Sequence, residues 1–209
     1  RDFFEGFDKA YLSDVGNYDI FGIMEDTLGV ILKPGAPEAV EAAKLLQETV
    51  PGVRLVTEKE GYHAVEGLPD FERLTAQELE EQCTLVVVFG GDGTLIHAAS
   101  LFRDRAVPIL GVNLGKIGFL TEVTVDELSE AIEKAISDSL PVQERMRLDV
   151  SIERDGKEVV NARLLNDAVL SQSAMARINT YRVFCDDQFV TRVRGDGVII
   201  ATPTGSTAY

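Results

Sequence analysis

Short apolar runs alternate with helix-like spacing along the first part of the chain. Runs with the length of a strand lie at 28–32, 53–56, 84–89 and 106–112. Apolar steps of three and four residues, with capping boxes at Thr75/Glu78 and Thr124/Glu127, predict helices over 38–49, 76–82, 94–103 and 124–137. Residues 58–73 are predicted to connect two of these elements. Continuous apolar strands alternating with helices predict a parallel α/β sheet.

The period changes from helical to alternating after Pro141. Leu148, Val150 and Ile152 are separated by polar residues, which is typical of a strand with one buried face. Turn signals at Asp155-Gly156 and at 186–188 predict two hairpins, and 198–201 is predicted to be a further strand. The chain is therefore predicted to contain an unassigned lead-in over 1–27, an α/β domain over 28–141 and a β-rich domain over 142–209.

Composition and charge narrow the class of protein. The 209 residues are 45% hydrophobic and 26% charged, as in a globular protein with one large or two small domains. A net charge of −15 argues against nucleic acid or an anionic membrane as partner, and no apolar run reaches the roughly 18 residues of a membrane span. Cys83 and Cys185 are predicted to be ordinary buried or half-buried thiols of a cytoplasmic protein, and two histidines offer no zinc site.

The segment from Gly90 to Thr94, Gly-Gly-Asp-Gly-Thr, joins a predicted buried strand to a predicted helix. Its glycines let a ligand approach the backbone, and free N–H groups at a helix start favour phosphate. Asp92 would repel phosphate unless it has another duty, such as accepting a proton from a hydroxyl nucleophile or holding Mg²⁺. The alternative is a tight turn in which Asp92 only caps the helix.

Three further segments place polar groups near strand ends. Gly111–Leu120 leaves a predicted strand and carries Phe119, which could stack on a flat ring or anchor the core. Asn166 and Asp167 could hydrogen-bond ribose hydroxyls or an amide, or form an Asx turn between strands. Arg194–Gly197 and the hydroxyl-rich residues 202–209 offer positive charge and donors to a phosphate or sugar, or form a solvated hairpin turn.

Together these segments resemble NAD kinases. The resemblance rests on GGDGT at 90–94, GVNLGKIGFLTE at 111–122, LNDAV at 165–169 and RGDGVIIATPTGSTAY at 194–209. Diacylglycerol and sphingosine kinases share GGDGT, but there Asn-Glu typically follows, whereas Leu95-Ile96 follows here. The Asn-Asp pair and TPTGSTAY therefore carry the distinction.

The resemblance implies a Rossmann-like α/β domain followed by an all-β domain, with the active site between them. It implies transfer of the terminal phosphoryl group of ATP, with Mg²⁺, to the 2′-hydroxyl of the adenosine ribose of NAD. Asp92 would be the base, while the role of Lys116 stays open. Residues implied to bind the substrates are Gly90, Gly91, Gly93, Thr94, Phe119, Asn166, Asp167, Arg194, Asp196, Thr204, Thr207, Ala208 and Tyr209.

The resemblance also implies a homo-oligomer, a dimer or tetramer. Family members continue past the TAY segment, so the chain is predicted to be a C-terminally truncated fragment. Two alternatives remain at this point: a lipid kinase of the diacylglycerol type, and a dinucleotide-binding module without catalysis. An apolar substrate groove would favour the first, and retention of Asp92 argues against the second.

Overall fold

The computed structural model describes residues 10–11, 27–59, 71–115, 118–137, 139–171 and 178–208. The strands are β1 (Ala10–Tyr11), β2 (Thr27–Leu32), β3 (Arg54–Glu58), β4 (Glu72–Leu74), β5 (Cys83–Phe89), β6 (Ile109–Asn113), β7 (Val123–Thr124), β8 (Leu148–Arg154), β9 (Lys157–Leu164), β10 (Asp167–Ser171), β11 (Asn179–Cys185), β12 (Gln188–Gly195) and β13 (Gly197–Ala201). The helices are α1 (Pro37–Thr49), α2 (Ala76–Gln82), α3 (Asp92–Leu101) and α4 (Leu128–Ile136). Contacts divide the chain into two compact units, Val15–Gln143 and Arg1–Asp14 with Glu144–Tyr209.

The first unit is built on a six-stranded sheet in which every neighbouring pair is parallel. Its strand order is β4-β3-β2-β5-β6-β7. Strands β3 and β4 follow β2 on one side of it. Strand β5 then pairs with the other side of β2, and β6 and β7 continue the sheet in that direction. The order therefore reverses between β2 and β5, and open α/β sheets bind ligands beyond the carboxyl ends of the strands at such a point.

Helices cover this sheet because its central strands are apolar on both faces. All six residues of β2 are buried, and so are the last four of β5. Buried residues of α1 and α4 form one core cluster with Leu28, Val30 and Leu32, whereas α2 and α3 contact each other and strands β3, β5 and β6. The predicted parallel α/β sheet is confirmed, with the doubly covered packing that continuous apolar strands require.

Local sequence signals predicted the bounds of most helices and strands of this unit to within a few residues. Both predicted capping boxes are present, Thr75 with Glu78 before α2 and Thr124 with Glu127 before a 3₁₀ turn that leads into α4. The prediction of a loop over 58–73 was wrong at its end, since Glu72–Leu74 forms β4, an edge strand with one buried residue and no apolar period. Residues 60–70 of that loop lie outside the described residues.

The second unit is antiparallel throughout its described part. Its sheets are β1-β8-β9, β10-β13 and β11-β12. The predicted all-β character of this half is confirmed. The unassigned lead-in over 1–27 contributes Ala10–Tyr11, which pairs with β8, and the rest of it up to residue 26 lies outside the described residues.

Both predicted hairpin turns have the backbone that their residues favour. Asp155 and Gly156 have φ of 55° and 69°, and Asp186 and Asp187 have φ of 47° and 65°. Two successive positive φ angles are the mark of a type I′ turn, whose twist matches that of the flanking strands. The turns therefore set the pairing of β8 with β9 and of β11 with β12.

The two cysteines differ in environment. Cys83 is fully buried, and burial raises the pKa of its thiol to about 12, against the smaller opposite effect of Arg105 and Arg54. Cys185 is exposed, so the prediction of buried or half-buried thiols holds for Cys83 alone. None of the helices in the described ranges is long and apolar enough to cross a bilayer.

A buried carboxylate ties α3 to the sheet. Glu58, at the carboxyl end of β3 and only 6% exposed, lies 2.8 Å from Nε2 of His97 on α3. We expect His97→Leu to lower the free energy of unfolding by about 1–3 kcal/mol, because the variant leaves a buried carboxylate without this hydrogen bond. Lys44→Gln, which breaks the exposed pair with Glu41, should cost less than about 0.5 kcal/mol. Equal shifts of the two urea midpoints would contradict this assignment.

Candidate functional site

The Asp92 carboxylate bonds to a loop that lies far from it in sequence. Asp92 is the first residue of α3, and Gly91 is its N-cap. Oδ2 accepts from the backbone N–H of Phe119 at 2.9 Å. Oδ1 accepts from the N–H groups of Leu120 at 2.9 Å and Thr121 at 3.2 Å, and from the Thr121 hydroxyl at 3.3 Å. Asp92 therefore does not cap α3, which removes the purely local interpretation of this residue.

These bonds set the acidity of the carboxyl group. Partial burial is the largest single influence and raises the pKa of Asp92, but the N–H groups of Leu120, Phe119 and Thr121 and the Thr121 hydroxyl together lower it below its ordinary value. Hydrogen bonds to the charged form favour that form. Asp92 is thus an ionised acceptor at neutral pH.

Glycines make the close contact between the two segments possible. A Cβ on Gly118 would fall on Asp92 Oδ1 and lie 2.7 Å from Thr121 Oγ1. A Cβ on Gly90 would fall on the Thr94 hydroxyl and lie 3.2 Å from the Cβ of Lys33, which follows β2. Gly90 therefore lies where the ends of β2 and β5 meet, at the reversal of strand order.

The start of α3 is open beside this contact. Added Cβ atoms on Gly91 and Gly93 would meet no described residue within 4 Å, whereas Thr94 is buried and donates its N–H to the Gly91 carbonyl. Phe119 is 58% exposed, so it does not anchor the core. The predicted residues of this unit are thus brought together at one edge of the sheet, with accessible backbone at a helix start.

In the second unit, the hydroxyl-rich segment docks onto the Asn-Asp segment. Thr202, 1% exposed, donates its hydroxyl to the Leu165 carbonyl at 2.7 Å and its N–H to the Asn166 carbonyl at 2.8 Å. The Thr202 oxygens in turn accept from the N–H groups of Gly205 and Ser206, which closes the 3₁₀ turn Gly205–Thr207. Asp167, the first residue of β10, pairs with Ala201.

Asn166 presents a buried acceptor beside this turn. Its Oδ1 is buried and has no hydrogen-bond partner among the described residues. Buried polar atoms are normally paired, so this oxygen is available to accept a hydrogen bond from a ligand. An Asx turn closed by Asn166 would occupy the same oxygen, so Asn166 does not form one with the described residues.

The remaining predicted residues occupy two places. Thr204 accepts from Arg145 Nη1 at 3.3 Å, and Thr207 and Ala208 follow it, exposed, in the same turn. Arg194 and Asp196 are exposed at and after the end of β12, which pairs with β11, whereas β13 pairs with β10. Residues 194–197 therefore join two sheets and do not form a hairpin turn. Lys116 and Tyr209 lie outside the described residues.

Close approach of backbone makes Gly205 the most constrained residue of this turn. A Cβ there would fall on the backbone of Asn166. We expect Gly205→Ala to lower the free energy of unfolding by about 1–3 kcal/mol, since the turn must move away from Asn166. Gly195→Ala, whose nearest contact would be an ordinary 3.9 Å, is the matched control. A urea midpoint for Gly205→Ala as close to the parent as that of Gly195→Ala would refute the tight docking.

Three residues that organise these segments were not singled out from the sequence, although each lies in one of the segments named there. Asn113 and Thr121 support the Asp92 contact, and Thr202 anchors the hydroxyl-rich turn. All three are buried polar residues at or beyond strand ends. A polar residue that closes an apolar run, as Asn113 does after Ile109–Val112, was the one signal available.

Comparison with known families covers most of the chain. Residues 11–140 match the ATP-NAD kinase N-terminal domain, and residues 165–209 match the ATP-NAD kinase C-terminal domain. The match thus begins within the lead-in that the sequence left unassigned.

Similar proteins agree with these matches. The NAD kinase of Trichlorobacter lovleyi is 49% identical over 136 residues, which are 65% of this chain and 48% of the relative. That of Koribacter versatilis is 38% identical over 88% of this chain and 64% of its own. The chain spans about half the length of the first of these relatives.

Solved structures share the fold. Yeast NADH kinase complexed with NADH has a TM-score of 0.76 at 27% identity, over 88% of this chain and 56% of its own. An NAD kinase from Archaeoglobus fulgidus in complex with ATP has a TM-score of 0.60 at 25% identity, over 88% of this chain and 63% of its own.

Proposed function

This chain belongs to the ATP-NAD kinase family, and we propose that it transfers the terminal phosphoryl group of ATP to the 2′-hydroxyl of the adenosine ribose of NAD, giving NADP. The observation that carries the proposal is the Asp92 carboxylate, held by four hydrogen bonds at the reversal of strand order and beside the open start of α3. A carboxylate held beside a phosphate-binding turn has a use in catalysis that plain binding does not require. Relatives in complex with NADH and with ATP support the two substrates.

Asp92 acts as the general base in this reaction. Among the described donors, three bond to Oδ1 and one bonds to Oδ2, so Oδ2 keeps the freer lone pair. Oδ2 takes the proton of the 2′-hydroxyl while that oxygen bonds to the γ-phosphorus, and the bond from phosphorus to the β,γ-bridging oxygen breaks to release ADP. Its pKa below the ordinary range makes Asp92 a weak base, which suits a loose transition state in which the nucleophile loses its proton late.

The other predicted residues bind the two substrates. Backbone N–H groups at Gly91, Gly93 and the start of α3 receive phosphate, because a helix start favours an anion. Phe119, exposed next to the base, packs on the adenine side of NAD. The unpaired Oδ1 of Asn166 accepts from NAD hydroxyl or amide groups.

The second unit supplies further NAD contacts in this proposal. They come from Asp167, Arg194, Asp196, Thr204, Thr207, Ala208 and Tyr209. Exposed hydroxyl and backbone groups in the turn Gly205–Thr207 support this assignment, since such groups can donate to phosphate or sugar oxygens.

Magnesium enters this scheme with the nucleotide. No group of three or more His, Cys, Asp or Glu side chains in the described ranges is arranged to hold a metal ion, and Oδ1 of Asp92 is already taken up by three donors. Mg²⁺ is commonly held by substrate phosphates and water with one or two carboxylates at most. The donor substrate in this proposal is therefore the Mg²⁺ complex of ATP.

A cytoplasmic homo-oligomer, a dimer or tetramer, completes the proposal. The buried free thiol of Cys83 supports a reducing compartment. Neither nucleic acid nor a membrane is proposed as partner, given the net charge of −15.

A coupled assay of NADP formation tests the function directly. The full-length protein is incubated with NAD, ATP and Mg²⁺, and we expect NADP to accumulate in a reaction that needs all three. Diacylglycerol in place of NAD serves as the control for a lipid kinase. Binding of NAD by calorimetry without any turnover would overturn the proposal in favour of a silent dinucleotide-binding module.

A further inference from the structure

A relay of buried side chains reaches the Asp92 carboxylate from the end of β6. Asn113 Nδ2 donates to Thr121 Oγ1 at 2.9 Å, and Thr121 Oγ1 lies 3.3 Å from Asp92 Oδ1. Thr121 has no exposed surface, and Asn113 is 6% exposed. Two uncharged polar residues are thus withdrawn from water directly behind the base.

The relay can be oriented in only one direction. Gly115 donates its backbone N–H to Asn113 Oδ1 at 2.7 Å, which leaves the amide nitrogen to face Thr121. An amide NH₂ only donates and an ionised carboxylate only accepts. The Thr121 hydroxyl must therefore accept from Asn113 and place its own hydrogen toward Asp92.

This orientation makes the two oxygens of Asp92 unequal. Oδ1 faces the Thr121 hydroxyl and two backbone N–H groups, while Oδ2 receives the Phe119 N–H alone among the described donors. We propose that Thr121, oriented by Asn113, is a positioning residue that holds the carboxylate so that Oδ2 is presented to the nucleophile. The inference rests on the proposed function, in which Asp92 is the base.

The Thr121 side chain also packs against the sheet, and a test must distinguish this packing role from the positioning of Asp92. A Cβ added to Gly111 would lie 2.9 Å from the Thr121 methyl group, so that group fills space against β6. Thr121→Val keeps a side chain of the same shape without the hydroxyl, whereas Thr121→Ser keeps the hydroxyl without the methyl. The two variants therefore divide positioning from packing.

The test is steady-state NADP formation by the full-length protein and by both variants, with NAD affinity from calorimetry. We expect Thr121→Val to lower kcat about tenfold, the effect of one lost hydrogen bond to a charged group, with KM and Kd for NAD within about twofold of the parent. Thr121→Ser should retain most of kcat. A kcat for Thr121→Val within twofold of the parent, or an equal fall for Thr121→Ser, overturns the inference.

If Thr121→Val does not unfold cooperatively in urea, the variant is not properly folded and a second variant replaces it. Asn113→Ala leaves the Thr121 hydroxyl in place and removes the amide that orients it, so kcat should fall with KM for NAD unchanged; an unchanged kcat overturns the inference. Asp92→Asn, measured alongside, distinguishes a failure of the relay from a failure of Asp92 as base. An active parent with an inactive Asp92→Asn and an unaffected Thr121→Val refutes only the relay, whereas an active Asp92→Asn refutes Asp92 as base.

Discussion

Asp92→Asn should lower kcat for NADP formation by about 10²- to 10⁴-fold, the contribution of a positioned general base. The amide has the same shape, and its oxygen can still accept from the N–H groups of Leu120 and Thr121. What the variant lacks is an acceptor at Oδ2, where the amide nitrogen would also face the Phe119 N–H. NAD binding should persist, because the N–H groups at the start of α3 are untouched.

The measurement is kcat from the coupled assay together with Kd for NAD from calorimetry. Asp126→Asn is the matched control, since Asp126 is exposed on the 3₁₀ turn before α4 and its change removes the same charge. That control should match the parent in both quantities. Parallel losses of binding and turnover in Asp92→Asn would count against Asp92 as base and indicate a structural role.

Gly118→Ala should reduce kcat/KM about a hundredfold, the loss that a displacement of about 1 Å at a catalytic group can cause. The added methyl would fall on Asp92 Oδ1 and lie 2.7 Å from Thr121 Oγ1, so the loop and the carboxylate cannot keep their present contact. The free energy of unfolding should fall by about 1–3 kcal/mol as well, as in other overpacked sites.

Gly115→Ala provides a control in the same loop. A Cβ there would meet nothing within 4 Å in the part of the chain that the structure describes, and the backbone N–H that bonds Asn113 is retained. We expect its kcat/KM and urea midpoint to remain close to those of the parent. If Gly118→Ala proves as active as Gly115→Ala, the close contact between Asp92 and this loop is not needed for catalysis.

The elements of this fold were largely readable from the sequence because their signals are local. Continuous apolar runs predicted strands β2 and β5, and residues suited to positive φ marked the turns at Asp155-Gly156 and Asp186-Asp187. Strand β4 was not readable, since three residues with one buried position carry no period. Its pairing depends on the exposed edge of β3, which exists only once the sheet has formed.

The candidate site divides along the same line. The glycine-rich and hydroxyl-rich segments, Asp92 and the Asn166-Asp167 pair were identified from residue type and order, because close backbone approach and anion binding need particular residues at particular steps. Residue type and order did not decide between the two interpretations of each residue. Capping, core anchoring and an Asx turn are local possibilities that depend on where a side chain finally points.

The sequence by itself thus determined the class of each half, the strand ends that carry the candidate site and the residues that are candidates for a role there. Tertiary structure alone decided that Asp92 bonds to the loop at 119–121, that Asn113 and Thr121 stand behind it, and that Thr202 docks onto Leu165 and Asn166. Periodicity and turn chemistry act over a few residues. The hydrogen-bond donors to the Asp92 carboxylate, and the carbonyl that accepts from the buried Thr202 hydroxyl, come close to these side chains only when distant strands have paired.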